Sequence, residues 1–347
     1  MSGDRFYKYR FENDYSELAH PDVLNALSAA GTSQFGSYGL DEYSIRAGDL
    51  IRRRIDNPAA EVHFVSGGTM ANLVVLSSIL RPHEAVIAPG GGHIFVHETG
   101  AIEATGHKIC TARGVNGKIL PDEIEAIVSE HTDEHMVVPR VVYISQASEA
   151  GTVYTKTELT EISRCCRNNG LYLFLDGARI GAAINSGACD LSLADTAGLT
   201  DVFYIGGTKN GALFGEAVVI CNEGLKADFR HLMKQRGALL AKGAVIGLQF
   251  EALFSDGLFD RLAKHACAMA RKLADGFSSA GYDLHYPMEA NMVFPILPSG
   301  VAKKLHDLYS FHDWEYLGDL TAVRIVASWA TPEYAVDDLL ADLADYT

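Results

Sequence analysis

Between residues 60 and 220 the chain repeats one pattern: a short apolar run rich in Val, Ile and Phe, then glycines, then a longer amphipathic stretch. "EVHFVSGGTMANLVVLSSIL", "EAVIAPGGGHIFVHETGAIEATG", "RVVYISQASEAGTVYTKTELTEISRCC" and "LYLFLDGARIGAA" are the clearest copies. Continuous apolar strands alternating with helices predict an α/β fold whose largely parallel sheet is covered on both faces. In such sheets ligands bind at the C-terminal ends of the strands, so the residues that close each apolar run become the candidates for chemistry.

With 347 residues, 48% of them hydrophobic, the chain can bury a large core and divide into two domains. Long helical patterns follow from about residue 244 to 281, then "NMVFPIL", a helical "PSGVAKKLHDLYSF", a strand "AVRIVASWA" and a last helix opening at Pro332. This predicts an N-terminal arm over residues 1–20, a large α/β domain over 21–245 and a smaller α+β domain over 246–347. The arm is placed across the site or a neighbour.

A net charge of −15 and a pI near 5.3 argue against a nucleic-acid partner, which needs clustered Lys and Arg. There is no apolar run of the roughly 20 residues a membrane helix requires, and no apolar signal segment at the start, so the expectation is a soluble, cytoplasmic protein with no membrane partner. The six cysteines form no C-x-x-C pair and are expected to be free thiols of a reducing compartment.

"FVSGGTMANLVVL" puts Gly67, Gly68 and Thr69 where a strand meets a helix. Such a junction binds phosphate through free N–H groups and the positive helix end, or is a plain turn with Thr69 as the N-cap. The spacing matches neither a Walker loop nor G-x-G-x-x-G. "LYLFLDGARIGAA" ends a strand in Asp176, followed by Arg179. A buried carboxylate needs a cation or several donors, either Arg179 itself or a ligand cation that leaves Arg179 free to hold a carboxylate.

"VFYIGGTKNG" ends the next strand in Thr208 and Lys209. Desolvation at a strand tip lowers a lysine's pKa and makes the amine nucleophilic, and the flanking glycines would let a bulky group approach the backbone. A phosphate cradle, a strand-end carboxylate and a strand-end lysine are together the contacts of pyridoxal 5′-phosphate: its phosphate anchored, its pyridine nitrogen kept protonated and its aldehyde held as a Schiff base. "HIFVHE" sets His93 and His97 four apart, the spacing of metal ligands on a helix, but His93 falls at a strand-to-helix turn where a stacking role is open. "HTDEH", residues 131 to 135, matches a metalloprotease pattern but sits in a polar connection, so no metal is assigned.

Across nearly the whole chain these segments resemble the threonine aldolases of the aspartate aminotransferase-like pyridoxal phosphate enzymes, fold type I. The resemblance is carried by "FENDYSELAHPDVLNAL", "YGLDEYS", "SGGTMAN", "HIFVHETGAIEATGHK", "GTVYT", "FLDGARIGAA", "GGTKNG" and "VRIVASWAT". "NDY" and "GGTKNG" point to the low-specificity, beta-eliminating lyase-like subgroup. The resemblance implies a mostly parallel seven-stranded sheet. It implies Lys209 as the Schiff-base lysine, Asp176 as partner of the pyridine nitrogen, and Gly67, Gly68, Thr69 and Thr208 around the cofactor. His93 would stack on the ring and help in proton transfer, while Arg179, Arg324 and Asn13 would hold the substrate carboxylate.

The reaction so implied is cleavage of the Cα–Cβ bond of L-threonine, L-allo-threonine or a related β-hydroxy-α-amino acid to glycine and an aldehyde. The same parts would also serve β-elimination or transamination, which start by loss of the α-proton, or a non-catalytic phosphate-ligand-binding protein. Relatives carry "THN" after the central strand where this chain has "SQASEAGTVY", and His93, directly or through water, is left as the expected base for the β-hydroxyl. A homodimer or homotetramer is the expected assembly.

Overall fold

The computed structural model describes residues 6–346; the first five residues of the expected arm lie outside the described residues. The arm begins with β1 (Tyr9–Arg10). Helices α1 (Pro21–Ala30) and α2 (Glu42–Arg54) lead into β2 (Glu61–Val65), α3 (Gly68–Ile79), β3 (Glu84–Pro89) and the single turn α4 (His93–Val96). Then come β4 (Lys108–Ala112), α5 (Pro121–Glu130), β5 (Val138–Ser145), α6 (Lys156–Asn168), β6 (Tyr172–Asp176), α7 (Ile180–Asn185), α8 (Leu193–Leu199), β7 (Val202–Gly206) and β8 (Glu216–Ile220).

Strands β2 to β8 form one seven-stranded sheet in the order β2-β8-β7-β6-β5-β3-β4. All run parallel except β8, which is antiparallel to both its neighbours. Successive side chains alternate between two cores: Val142 and Ile144 of β5 join the cluster with α2 and α6, whereas Val141 and Tyr143 join the one with α3. Two covered faces explain the unbroken apolar runs. The helices are locally specified too; Thr155 caps α6 in a reciprocal box with Glu158, and Ser192 caps α8 with Asp195.

After α9 (Phe229–Gln235) and α10 (Ala244–Ser255) the 22-residue α11 (Leu258–Ser279) spans both halves of the molecule. The second half holds β9 (Met292–Val293), β10 (Ile296–Pro298), α12 (Ser299–Leu308), β11 (Tyr309–Ser310), β12 (His312–Leu317), β13 (Leu320–Val326) and α13 (Glu333–Ala344). Ile246, Phe250 and Leu253 of α10 pack into the core beneath the large sheet, as do Leu258, Phe259 and Leu262 of α11, whereas Met269 to Phe277 of α11 pack on β13 and α13. The packing therefore divides within α11 and not at residue 245, because α10 uses its apolar face against α1 and α2.

The arm is anchored on the second half: β1 pairs in parallel with β11, and Phe11 is fully buried there. From that anchor, residues 12 to 16 cross the C-terminal end of the large sheet.

Candidate active site

The strand ends converge as the alternating pattern requires. β2 delivers Gly67, Gly68 and Thr69, β3 delivers His93, β6 Asp176, and β7 Thr208 and Lys209, and all seven line one cavity of about 370 Å³. Being antiparallel, β8 brings its first residue, Glu216, to the same end. Asn13, Arg179 and Arg324 are not on that wall; they lie behind it with the arm.

Lys209 is half-buried, and among the described residues its Nζ makes no hydrogen bond or ion pair; the Tyr15 ring centre lies 5.7 Å away. Burial, followed by the Arg179 charge, pulls its pKa below the ordinary lysine value. The glycines around it serve a purpose other than the expected one. A Cβ on Gly206 would stand 2.3 Å from the Ala178 carbonyl oxygen, and one on Gly207 2.6 Å from that of Gly215. They let the chain's own backbone pass close, not a ligand.

Asp176 is buried and does not pair with Arg179. Its Oδ1 accepts from Tyr204 Oη at 2.5 Å and the Ala178 N–H at 3.0 Å, while Oδ2 accepts from Tyr143 Oη at 2.6 Å and Asn72 Nδ2 at 3.2 Å. Neutral donors thus satisfy the carboxylate. Burial and the Asp176 charge push both phenols well above the ordinary tyrosine range, so they stay protonated and donate to Asp176.

Arg179 is instead held by the arm. Its Nε donates to Asp14 Oδ2 at 2.7 Å and its Nη2 to Asp14 Oδ1 at 3.0 Å, and Asn291 Nδ2 adds a third bond to Asp14 at 2.9 Å. Burial alone would raise the Asp14 pKa; the Arg179 charge, then that of Lys209, overcomes it and holds the carboxyl below the usual carboxylate range. Arg324 is freer: Nη2 donates to the Glu12 carbonyl at 3.3 Å, and its buried Nε has no partner. Asn13 uses its Oδ1 within its own turn, on Tyr15 N and Ser16 Oγ.

Thr69 is not the N-cap of α3. Gly67 holds that position, with φ 175° and no side-chain bond to the helix start, so the first N–H groups of α3 open onto the cavity uncapped. Thr208 Oγ1 accepts from the Gly215 N–H at 3.0 Å and bonds Glu216, a carboxylate that also accepts from the Gly207 N–H at 2.8 Å. Burial pushes Glu216 up to about 7 against those two bonds.

His93 Nδ1 lies 2.7 Å from Glu98 Oε1, which also accepts from Asn72 Nδ2 at 2.7 Å; a chain of bonds so runs from His93 to Asp176. Burial works against the imidazolium, but the Glu98 bond together with the charges of Glu149, Asp176 and Glu98 outweighs it and raises the His93 pKa. His97 is the C-cap of the single turn of α4, and its ring lies 5.6 Å from that of His93 at the same cavity. In "HTDEH", His131 ends α5 with Nδ1 on the Ile127 carbonyl. Among the described residues no group of three or more His, Cys, Asp or Glu side chains is arranged to hold a metal.

Sequence reasoning missed Asp14, Asn72, Tyr143, Tyr204, Glu98 and Glu216, and also Glu149, which lines the same cavity. Two had a signal: a tyrosine inside an unbroken apolar strand must find a partner for its hydroxyl.

The seven-stranded sheet with β8 reversed, and a lysine, a carboxylate and an uncapped helix start at its C-terminal end, define a pyridoxal-phosphate-dependent enzyme of fold type I. Aspartate aminotransferase from Thermus thermophilus shares that fold at 15% identity, with a TM-score of 0.75 over 99% of this chain and 92% of that one. A family model described as beta-eliminating lyase matches residues 21–298. A low specificity L-threonine aldolase from a Pseudomonas species is 35% identical over 95% of each chain. The threonine aldolase structure from Leishmania major is 47% identical, covers 97% of this chain and 99% of its own, and superimposes with a TM-score of 0.96. The chain belongs to the beta-eliminating lyase family and, within it, to the threonine aldolases.

Proposed function

We propose that this protein cleaves the Cα–Cβ bond of L-threonine, L-allo-threonine or a related β-hydroxy-α-amino acid, giving glycine and an aldehyde. The observation that carries the reading is Lys209: an amine with lowered proton affinity and no partner among the described residues, in one cavity with the uncapped start of α3 and with Asp176. These features fit pyridoxal 5′-phosphate. When bound, the cofactor supplies a carbonyl carbon that an amine can take up and a ring that accepts the electron pair of a bond broken at Cα.

The rest is the work of the chain's own groups. The N–H groups of Gly68 and Thr69, with the Thr69 hydroxyl and no side chain at Gly67, are suited to hold a phosphate. Lys209 is suited to hold the aldehyde carbon, and Thr208 to fix the turn that presents it. Asp176 is suited to hold a ring N–H, for which the 3.2 Å contact to Asn72 is the longest of its four and the readiest to yield. His93, steadied by Glu98, offers a flat ring at the cavity wall. The unpartnered Nε of Arg324, the remaining Nη1 of Arg179 and the amide of Asn13 are suited to a substrate carboxylate. That anchor would orient the bond to be broken.

The test is an absorbance scan of the purified chain with pyridoxal phosphate, followed by L-threonine with glycine and acetaldehyde assayed. A visible band lost in Lys209→Ala, a borohydride-fixed mass on Lys209 and equal amounts of glycine and acetaldehyde are expected. A band with a keto acid as product moves the reaction to elimination or transamination. Absence of a band refutes the cofactor site.

We further read the protein as a cytoplasmic homodimer or homotetramer acting on a small amino acid. Leu40 and Ile45 are 65% and 52% exposed and Phe95 and Val96 are exposed as well, which supports a covered surface, and all six cysteines are free. Sedimentation velocity of the purified chain checks the assembly; a monomer refutes it.

A further inference from the structure

A substrate whose amine takes the place of Lys209 at the cofactor's carbonyl carbon, and whose carboxylate is held at Arg324, still has a β-hydroxyl to place. An acceptor for that hydroxyl must face the cavity and have lone pairs to spare. The carboxylates at the site can be accounted for one by one. Asp14 is spent on Arg179 and Asn291, Asp176 is met by four donors, and Glu216 accepts from Gly207 and Thr208. Glu98 Oε1 is shared by His93 and Asn72, and its Oε2 is sealed from the cavity.

Glu149 is different. It lines the 370 Å³ cavity beside Lys209 and His93, and also lines a second cavity of about 470 Å³ flanked by Tyr286 and Trp314, so it stands where the two meet. Among the described residues its carboxylate accepts no hydrogen bond, although it sits in the field of His93, Lys209, Arg179 and Arg324. The loop that carries it is fixed: Ser148 and Thr152 bond to each other at 2.7 Å, and Thr152 Oγ1 donates to the Asn116 carbonyl at 2.7 Å. A fixed loop holding an unpartnered carboxylate against four cations is a prepared acceptor.

His93 suits that task less, since its Glu98 bond makes it hold its own proton more firmly than a free histidine.

We infer that Glu149 is the catalytic group that receives the substrate's β-hydroxyl and takes its proton as the Cα–Cβ bond breaks, with the β-substituent directed into the cavity of Tyr286 and Trp314. This rests on the aldolase reading above. In the step, the O–H pair becomes the second bond of the aldehyde carbonyl, the Cα–Cβ pair stays with the glycine fragment, and the proton goes to Glu149. Protonation at Cα and loss of the Glu149 proton to solvent complete the balance.

The experiment compares wild type with Glu149→Gln, both loaded with pyridoxal phosphate. Cleavage of L-threonine and L-phenylserine is measured beside two readouts on glycine, which has no hydroxyl: exchange of its α-hydrogen in D2O by NMR, and its Kd from the visible band. The expected result is a loss of about 100-fold or more in kcat for cleavage, with glycine exchange and Kd within about threefold of wild type. Equal losses in cleavage and exchange overturn the inference, because Glu149 would then only balance charge or hold structure, and so does full cleavage by the variant. A wild-type protein that exchanges glycine but cleaves neither amino acid overturns the aldolase reading, and this one with it.

Discussion

Tyr204 on β7 and Tyr143 on β5 grip the two oxygens of Asp176, at 2.5 Å on Oδ1 and 2.6 Å on Oδ2, from the strands on either side of β6. The carboxylate is therefore oriented from both flanks by rigid elements. Tyr204→Phe leaves one buried acceptor short of its donor, so we expect a loss of about 1–3 kcal/mol in urea unfolding of the cofactor-free protein. Unfolding at the wild-type midpoint would show the contact to be dispensable.

The Asp14–Arg179 pair ties the arm to the large domain. Asp14→Asn leaves a buried guanidinium uncompensated, and a cost of about 3–5 kcal/mol is expected at pH 7. The sign with pH follows from the lowered Asp14 pKa: its stabilisation is present above the ordinary carboxylate value and lost as pH falls below it. Unfolding midpoints of wild type and Asp14→Asn, measured from pH 7 down to about pH 2, should converge at the acid end as the folded value of about 2 is approached; parallel curves would contradict the pair's role.

Glu216 works in the opposite direction. Burial raises it from the ordinary carboxylate range to about 7, so its neutral form is the one the fold favours. The corresponding stability is complete below the unfolded value and fades as pH rises through about 7, by a total of about 3 kcal/mol. Glu216→Gln should flatten the stability profile of the cofactor-free protein between pH 5 and 8. An unchanged slope in the variant would mean that Glu216 ionises as it does in solution.

Two glycines at the C-terminal end of the large sheet separate structural from functional need. Gly206→Ala drives a methyl to 2.3 Å from the Ala178 carbonyl oxygen, and a loss of at least about 3 kcal/mol, or failure to fold, is expected. A Cβ on Gly67 meets nothing within 4 Å, and its extended φ suits any residue, so Gly67→Ala should unfold within about 0.5 kcal/mol of wild type. Thermal melts of both variants decide this, and comparable losses would refute the distinction.

The apolar runs of the sequence by themselves determined the parallel core of the large sheet, and with it the convergence of Gly68, His93, Asp176 and Lys209, because each of these closes or follows a run whose direction is fixed by the helix after it. Local periodicity is enough for that. The reversal of β8 was not legible, since a short apolar strand reads alike in both directions, and with it the arrival of Glu216 at the site was hidden. Nor could the division within α11 be read, because an apolar helix face does not say which sheet it will meet.

Partnership was decided only in three dimensions. Arg179 follows Asp176 by three residues yet bonds Asp14, 165 positions away, because the strand end turns the guanidinium toward the arm and leaves Asp176 to Tyr143, Tyr204 and Asn72. Glu149 stands out only once the charges around it are assembled from four separate segments. Sequence spacing sets which groups reach the end of the sheet; which of them neutralise one another, and which is left to meet a ligand, depends on contacts between elements far apart in the chain.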